Sequence, residues 1–192
     1  MGSNDPLSIL QESLRDAPII WKGEYPYFIH PISDGIPRMD PEVLRATRDL
    51  IVSSVDWSKV DLIVTVEAMG LPLLAAVGDA TGKPTVVIRK RSYGMEGETR
   101  VDVATGYSQS TVYINDIKPG ERIVIVDDVI STGGTLEPLI QQLEDMGVIL
   151  KDIVIAIEKG EGRERLNREK PHWPIRSLAR IDIIDGKVEI VD

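Results

Sequence analysis

The sequence Val124-Ile125-Val126-Asp127-Asp128-Val129-Ile130-Ser131-Thr132-Gly133-Gly134-Thr135-Leu136 decides the fold of this chain. The β-branched run at 122–126 predicts a buried strand that ends at two carboxylates. Small hydroxyl residues and two glycines follow, and apolar residues then recur at helical spacing from Leu136 to Met146, before Gly147. The stretch therefore predicts a strand, a glycine-containing loop and a helix, in that order.

The same alternation extends outward on both sides. Short apolar runs at 62–64, 85–88 and 153–157 alternate with helical patterns at 71–80 and 136–146. Strands and helices in this order imply right-handed crossovers and a parallel sheet covered on both faces. We therefore expect an α/β fold whose ligands lie beyond the carboxyl ends of the strands.

Two segments do not follow the alternation. Helical spacing at 7–14 and again after Asp40-Pro41, an N-cap followed by a first-turn proline, brackets an aromatic, proline-containing stretch at 21–38 that reads as extended. Residues 89–111 are rich in glycine and charge, and an insertion this long is usually a functional loop or disordered.

Composition limits the classes of function. The chain of 192 residues, with 42% hydrophobic content, is long enough for one compact domain over 1–192. The net charge of -9 disfavours a nucleic-acid partner, and the absence of cysteine excludes disulfides and thiolate zinc sites. No apolar run approaches the ~20 residues that span a bilayer, and the N-terminus lacks the pattern of a signal peptide, so we expect a cytoplasmic protein without a membrane partner.

The loop after the two carboxylates has the chemistry of a phosphate site. Ser131, Thr132 and Thr135 offer hydroxyls, and Gly133 and Gly134 let the backbone approach a ligand closely. The helix that follows adds free N–H groups, and its dipole favours an anion by about 0.3 to 1 kcal/mol. Because carboxylates repel phosphate, the acidic pair must face sugar hydroxyls or a cation. This combination suggests a ribose phosphate, although a tight turn with a good cap would also fit the loop alone.

The complete string resembles the signature by which type I phosphoribosyltransferases bind phosphoribosyl pyrophosphate (PRPP). The resemblance implies their α/β fold, a central mostly parallel sheet flanked by helices with a small hood over the base site. It also implies that Asp127 and Asp128 hold the ribose hydroxyls with a catalytic role, and that Ser131 to Thr135 hold the 5′-phosphate. The hood would comprise 18–40 and the C-terminal segment.

Further segments resemble the family's pyrophosphate loop and mobile catalytic loop. The pyrophosphate loop would consist of Glu67, Ala68, Met69 and Gly70, and the mobile loop would span about 89–111. Many relatives have Arg where Met69 stands, so amides, magnesium and other cations must hold the pyrophosphate. Arg89 and Lys90 would reach phosphates as catalytic residues. Tyr107 is either a lid residue or a packing aromatic. The resemblance implies Mg²⁺ as cofactor, held through PRPP and with Asp127 and Asp128 as candidate ligands, with no certain protein metal site.

The choice of base rests on Lys159. At a strand end, its ammonium would donate to the 6-oxo group of hypoxanthine or guanine, whereas adenine offers an amino group there. In the hood, Phe28 and Ile29 would contact the base, with Phe28 stacking or packing in the core. The segments at 23–28 and 67–70 resemble the archaeal hypoxanthine/guanine phosphoribosyltransferases.

Three departures from related enzymes bear on this reading. Mammalian-type hypoxanthine/guanine enzymes carry Asp where Ser131 stands, adenine enzymes carry Glu where Gly106 stands, and xanthine enzymes carry Asn where Ile29 stands. An adenine phosphoribosyltransferase and a PRPP-sensing purine regulator are the alternatives. PRPP and a purine base are the expected ligands, and the family resemblance implies a homodimer.

Overall fold

The computed structural model describes residues 5–23, 25–105 and 108–191. The helices are α1 (Pro6–Arg15), α2 (Pro31–Asp34), α3 (Pro41–Ser54), α4 (Gly70–Thr81), α5 (Leu136–Asp145) and α6 (Gly162–Glu169), with a 3-10 turn at Trp57–Lys59. The strands are β1 (Ile19–Lys22), β2 (Tyr25–Phe28), β3 (Leu62–Val66), β4 (Thr85–Ile88), β5 (Thr99–Thr105), β6 (Ser108–Ile114), β7 (Arg122–Ile130), β8 (Ile149–Lys159), β9 (Ile175–Ile184) and β10 (Lys187–Val191).

A six-stranded sheet in the order β10-β9-β8-β7-β3-β4 forms the centre. Its pairings are parallel except for the antiparallel edge strand β10. Alternation along β7 sends Ile123 and Ile125 into a core with α5 and the β5–β6 hairpin, and Val124 and Val126 into a second core with α1, α3 and α4. The predicted α/β fold with a mostly parallel sheet is confirmed.

Strand β7 is longer than the sequence pattern predicted. It continues through the acidic pair to Ile130, with Asp127 opposite Ile155 and Ile130 opposite Glu158 of β8. Backbone pairing continues because β8 itself runs to Lys159. The prediction that the strand ends before the carboxylates was therefore wrong, and both aspartates are held on a paired strand.

The N-terminal aromatic segment is a hairpin followed by one helical turn. Strands β1 and β2 pair antiparallel, and α2 begins after His30, whose Nδ1 accepts the Ile32 N–H at 3.2 Å. The segment 21–38 was expected to be extended. It is extended in β2 but helical in α2. Proline at the first helical position and the His30 cap account for that turn.

Residues 89–111 contain regular structure where an irregular loop was expected. Strands β5 and β6 pair from Thr99 opposite Ile114 to Thr105 opposite Ser108. Val101 and Val112 alternate with polar residues and are buried in the first core, which explains the hairpin. None of the helices in the described ranges is long and apolar enough to cross a membrane.

Candidate active site

A cavity of about 440 Å³ lies between the β1–β2 hairpin and the carboxyl ends of β7 and β8. This is the sheet edge at which ligands of such folds bind. Its walls combine the acidic pair, the glycine-containing loop and hairpin aromatics. The lining residues are Tyr25, Tyr27, Phe28, Ser33, Val66, Asp127, Asp128, Val129, Ile130, Ser131, Thr132, Gly133, Gly134, Thr135, Leu136, Leu139, Ile155 and Lys159.

The carboxyl groups of Asp127 and Asp128 are half-buried in this cavity. The Thr65 hydroxyl donates to Asp127 Oδ1 at 3.4 Å, and the Asp128 N–H donates to the same oxygen at 3.1 Å. Burial raises the pKa of Asp127 to about 6. Burial and the neighbouring Asp127 charge raise the pKa of Asp128 well above its ordinary value. The pair is therefore suited to hydroxyl donors or a cation, which would relieve the repulsion.

All five residues of the predicted phosphate loop, 131–135, line the cavity. Gly133 has a φ of +79°, a left-handed conformation that favours glycine. Helix α5 begins directly afterwards, and in the described structure Thr135 makes no side-chain capping hydrogen bond to it. The first amides of α5 thus stand next to the loop, as an anion site at a helix start requires.

The predicted pyrophosphate loop, 67–70, connects β3 to α4 beside the acidic pair. A Cβ at Gly70 would lie 1.8 Å from Thr65 Oγ1 and 2.7 Å from Asp127 Oδ1, so glycine permits this close approach. The Glu67–Ala68 peptide is cis. Ala68 is exposed, Met69 is half-buried, and residues 67–70 are absent from the cavity lining.

Arg89 and Lys90 stand next to this loop. Arg89 Nη2 lies 3.1 Å from Glu67 Oε2, and the Lys90 N–H donates to the other Glu67 oxygen. The Lys90 charge acts to lower the pKa of Asp127, against the larger effect of burial. Arg89 is thereby held beside the predicted pyrophosphate loop, and the Lys90 charge lies close enough to act on Asp127. Gly106 and Tyr107 lie outside the described residues.

Lys159 and the hairpin form the other end of the cavity. The Lys159 ammonium donates to the Pro26 carbonyl at 2.6 Å and lies 3.9 Å from the centre of the Tyr25 ring. Phe28, 4% exposed, lines the cavity, whereas Ile29 is half-buried outside the lining. The structure thus brings Lys159 and Phe28 together and leaves Ile29 apart.

His30 has a structural role. Its ring is buried, with Nε2 3.1 Å from the Ser13 hydroxyl in addition to the α2 cap. Burial lowers the pKa of His30 to about 4, so the ring is neutral at pH 7.

Sequence reasoning assigned no individual site role to Thr65, Tyr25 or α6. Thr65 meets Asp127 only because β3 pairs with β7, and no local pattern reports that pairing. Helix α6 packs behind the phosphate loop, where the Gly162 N–H donates to the Ser131 carbonyl at 2.9 Å. Among the described residues, no group of three or more His, Cys, Asp or Glu side chains gathers to hold a metal.

A mostly parallel sheet that presents a carboxylate pair, the predicted phosphate loop and an aromatic hairpin around one cavity is the arrangement expected of a protein that handles sugar phosphates. Residues 38–178 match the family described as phosphoribosyl transferase domain. The chain belongs to the phosphoribosyltransferase family.

Similar sequences agree with this assignment. A hypoxanthine/guanine phosphoribosyltransferase from Methanocaldococcus infernus is 51% identical over 181 residues, which cover 94% of this chain and 98% of that protein. One of the same name from Ferroglobus placidus is 50% identical over 186 residues, covering 97% and 98%.

Solved structures agree on the fold. Adenine phosphoribosyltransferase from Thermoanaerobacter pseudethanolicus superposes with a TM-score of 0.74 at 23% identity, covering 91% of this chain and 99% of that one. The Giardia lamblia enzyme complexed with 9-deazaadenine gives 0.75 at 20% identity, covering 89% and 97%. At these identities the likeness concerns the fold alone.

Proposed function

We propose that this chain transfers the phosphoribosyl group of PRPP to hypoxanthine and guanine, giving IMP and GMP and releasing pyrophosphate in purine salvage. The observation that carries the proposal is one cavity that joins the acidic pair, the phosphate loop and the Lys159 ammonium. The names and identities of the similar sequences support the same activity.

PRPP fits along the carboxyl edge of the sheet. The loop amides and hydroxyls at 131–135 bind the 5′-phosphate, and Asp127 and Asp128 accept hydrogen bonds from the ribose hydroxyls. The pyrophosphate then lies toward residues 67–70, where Arg89, paired with Glu67, and Lys90, whose charge acts on Asp127, are proposed to bind it. As the anomeric carbon gains oxocarbenium character, these groups stabilise the departing anion. Tyr107 is proposed to close over the site and exclude water.

Magnesium fits the donor set of this site. Two oxygen-bearing side chains with raised pKa values provide too few ligands for a protein-only site, and substrate oxygens and water complete the coordination that Mg²⁺ prefers. Asp127 and Asp128 are the residues that would hold it. With PRPP bound there, Mg²⁺ would supply charge neutralisation to the leaving group.

The base lies between the hairpin and Lys159. Phe28 packs against the purine ring, and the Lys159 ammonium donates to the 6-oxo group. Adenine has an amino donor at that position, so it gains nothing from the ammonium. A cytoplasmic homodimer is proposed from the family resemblance.

Pyrophosphate release with PRPP and Mg²⁺ tests the proposal, with hypoxanthine, guanine, adenine and xanthine offered one at a time. Lys159→Ala should lower kcat/KM for hypoxanthine by about 10- to 100-fold, the size of a charged hydrogen bond, and leave adenine turnover unchanged. Lys151→Ala, an exposed lysine on the same strand, is the matched control.

The outcomes separate the alternatives. Turnover of the 6-oxopurines with little use of adenine supports the proposal. Turnover of adenine alone would agree with the family but would contradict the assignment of a 6-oxopurine as the substrate base. PRPP binding without turnover of any base would indicate a regulator.

A further inference from the structure

Helix α6 packs against the side of the phosphate loop that faces away from the cavity. The Gly162 N–H donates to the Ser131 carbonyl at 2.9 Å, and Arg165 Nη2 donates to the Thr132 carbonyl at 3.2 Å. Two consecutive carbonyls of the loop are therefore bonded to donors from one helix.

The packing between α6 and the loop leaves no space for a Cβ atom at Gly162 or Gly133. A Cβ at Gly162 would lie 2.2 Å from the Ser131 carbonyl oxygen, and one at Gly133 would lie 2.8 Å from Leu166 Cδ1. Leu166 is fully buried. The loop backbone thus rests directly on α6, and its conformation depends on that helix.

This contact matters because carbonyl oxygens and phosphate oxygens repel each other. A loop binds a phosphate when its N–H groups point at the anion, so its carbonyls must be directed elsewhere and satisfied there. Arg165 meets this need for Thr132 and also lies 2.8 Å from Glu137 Oε2 on α5 and 2.8 Å from Glu169 Oε2 on α6. One guanidinium joins the loop, the start of α5 and α6.

We propose that Arg165 is a positioning residue for the 5′-phosphate of PRPP. It holds the Thr132 carbonyl on the α6 side and fixes the loop against the first turn of α5, so that amides of both face the phosphate. The proposal rests on the proposed function, since it assigns a support to the site that would bind the 5′-phosphate. Arg165 acts through the loop.

Helix α6 has other anchors that do not involve Arg165. Arg163 Nε donates to the buried carboxylate of Glu158 on β8, and Arg180 of β9 donates to Glu164. Ser177 donates to the same Glu158 oxygen at 2.5 Å. Substitution of Arg165 should therefore leave α6 in place and change the loop.

Steady-state kinetics with PRPP and hypoxanthine, together with calorimetric titration of PRPP and Mg²⁺, test the proposal in the full chain. Arg165→Ala should raise KM and Kd for PRPP about tenfold, the effect of one charge-assisted hydrogen bond, with KM for hypoxanthine within about twofold. Arg165→Lys keeps one donor and should recover part of the affinity. Arg168→Ala removes the same charge from an exposed position of α6 and should bind PRPP as the parent does.

Equal PRPP constants for Arg165→Ala and Arg168→Ala would overturn the proposal, and so would a parallel rise in KM for hypoxanthine. If Arg165→Ala does not fold, as judged by circular dichroism, Arg165→Gln replaces it with the same criteria. Failure of the parent chain to bind PRPP would instead overturn the proposed function, so the two failures are distinguishable.

Discussion

Asp127 and Asp128 place two carboxyl groups side by side on half-buried residues that line the cavity. Burial raises the pKa of Asp127 to about 6, and burial with the neighbouring charge raises that of Asp128. An acid whose pKa is higher in the folded chain holds protons there that the unfolded chain releases, so stability falls as pH rises through that interval. Repulsion between the two carboxylates therefore destabilises the unliganded site, and a bound cation or sugar hydroxyls can reduce that repulsion.

Asp127→Asn should make the free energy of unfolding depend less on pH. Between pH 4 and pH 6 the free energy of unfolding of the parent should fall relative to the variant, because the amide has no proton to lose. Urea unfolding at pH 4 and pH 6 measures the difference. Asp16→Asn, an exposed aspartate after α1, is the control. An identical change from pH 4 to pH 6 in parent and Asp127→Asn would contradict the raised pKa.

Gly70→Ala should damage the site through contact with Thr65. The new Cβ would meet Thr65 Oγ1 at 1.8 Å and Asp127 Oδ1 at 2.7 Å, so either the hydroxyl or the loop must move. We expect a loss of about 1 to 3 kcal/mol in the free energy of unfolding and a higher KM for PRPP. Chemical denaturation and kinetics measure both.

The double variant Thr65→Ala/Gly70→Ala provides the control, because it removes the hydroxyl that the new Cβ would meet. It should recover part of the stability. Equal losses in the single and double variants would place the strain elsewhere.

Among single residues, the sequence predicted those whose chemistry is local. The acidic pair and residues 131–135 are contiguous, so their donors and acceptors could be read together. The contacts of Thr65 with Asp127 and of Arg165 with Thr132 could not be found in this way, because each joins residues that are far apart in the sequence. The roles of the individual residues in catalysis stay predictions until the variants are measured.

Among the elements, helix α3 begins where its own local sequence predicts a helix start. Asp40 accepts the Glu42 N–H at 2.8 Å, and Pro41 occupies the first helical position. Both were expected from the sequence, because a capping carboxylate and a proline each satisfy needs of a helix start without any distant contact. Strand β7 shows the opposite case, since its length depends on pairing with β8.

Asp40→Ala should lower the free energy of unfolding by about 1 kcal/mol, since it leaves an N–H of the first turn without its capping carboxylate. Asp40→Asn keeps a capping oxygen and should lose much less. Thermal and urea unfolding measure the two variants, and PRPP constants should not change. Equal stability of Asp40→Ala and the parent would show that solvent caps this helix as well as the side chain does.

The β5–β6 hairpin was not predicted, because glycine and charge around 89–98 obscured the alternation that follows. Glu98 organises the turn before it, accepting the Tyr93 N–H at 2.9 Å and the Asn115 amide at 3.0 Å. Such a turn depends on a glutamate that meets an asparagine just after the far strand.

For the whole molecule, the cavity joins parts that belong to different cores. The hairpin side of the cavity, with Phe28, packs in the core with α1, α3 and α4, while Leu136 and Leu139 belong to the core with α5. A ligand that touches Phe28, Lys159 and the phosphate loop therefore bridges both faces of the sheet. Binding at this position should stabilise the chain as a unit.

A 6-oxopurine nucleotide should stabilise the folded chain. At about 100 times its Kd, IMP or GMP should add roughly 2.7 kcal/mol, which corresponds to a rise in Tm of about 5 to 10 °C for a chain of this size. Thermal unfolding with IMP, GMP or AMP at equal concentration measures this, and AMP should give the smaller shift because it presents an amino donor in place of the 6-oxo acceptor. Lys159→Ala should reduce the IMP shift toward that of AMP, while Lys151→Ala should retain it. A larger shift with AMP than with IMP would contradict the assignment of the base, since the phosphate and ribose contacts are common to both nucleotides and the two bases differ only at the 6-substituent and the hydrogen on N1.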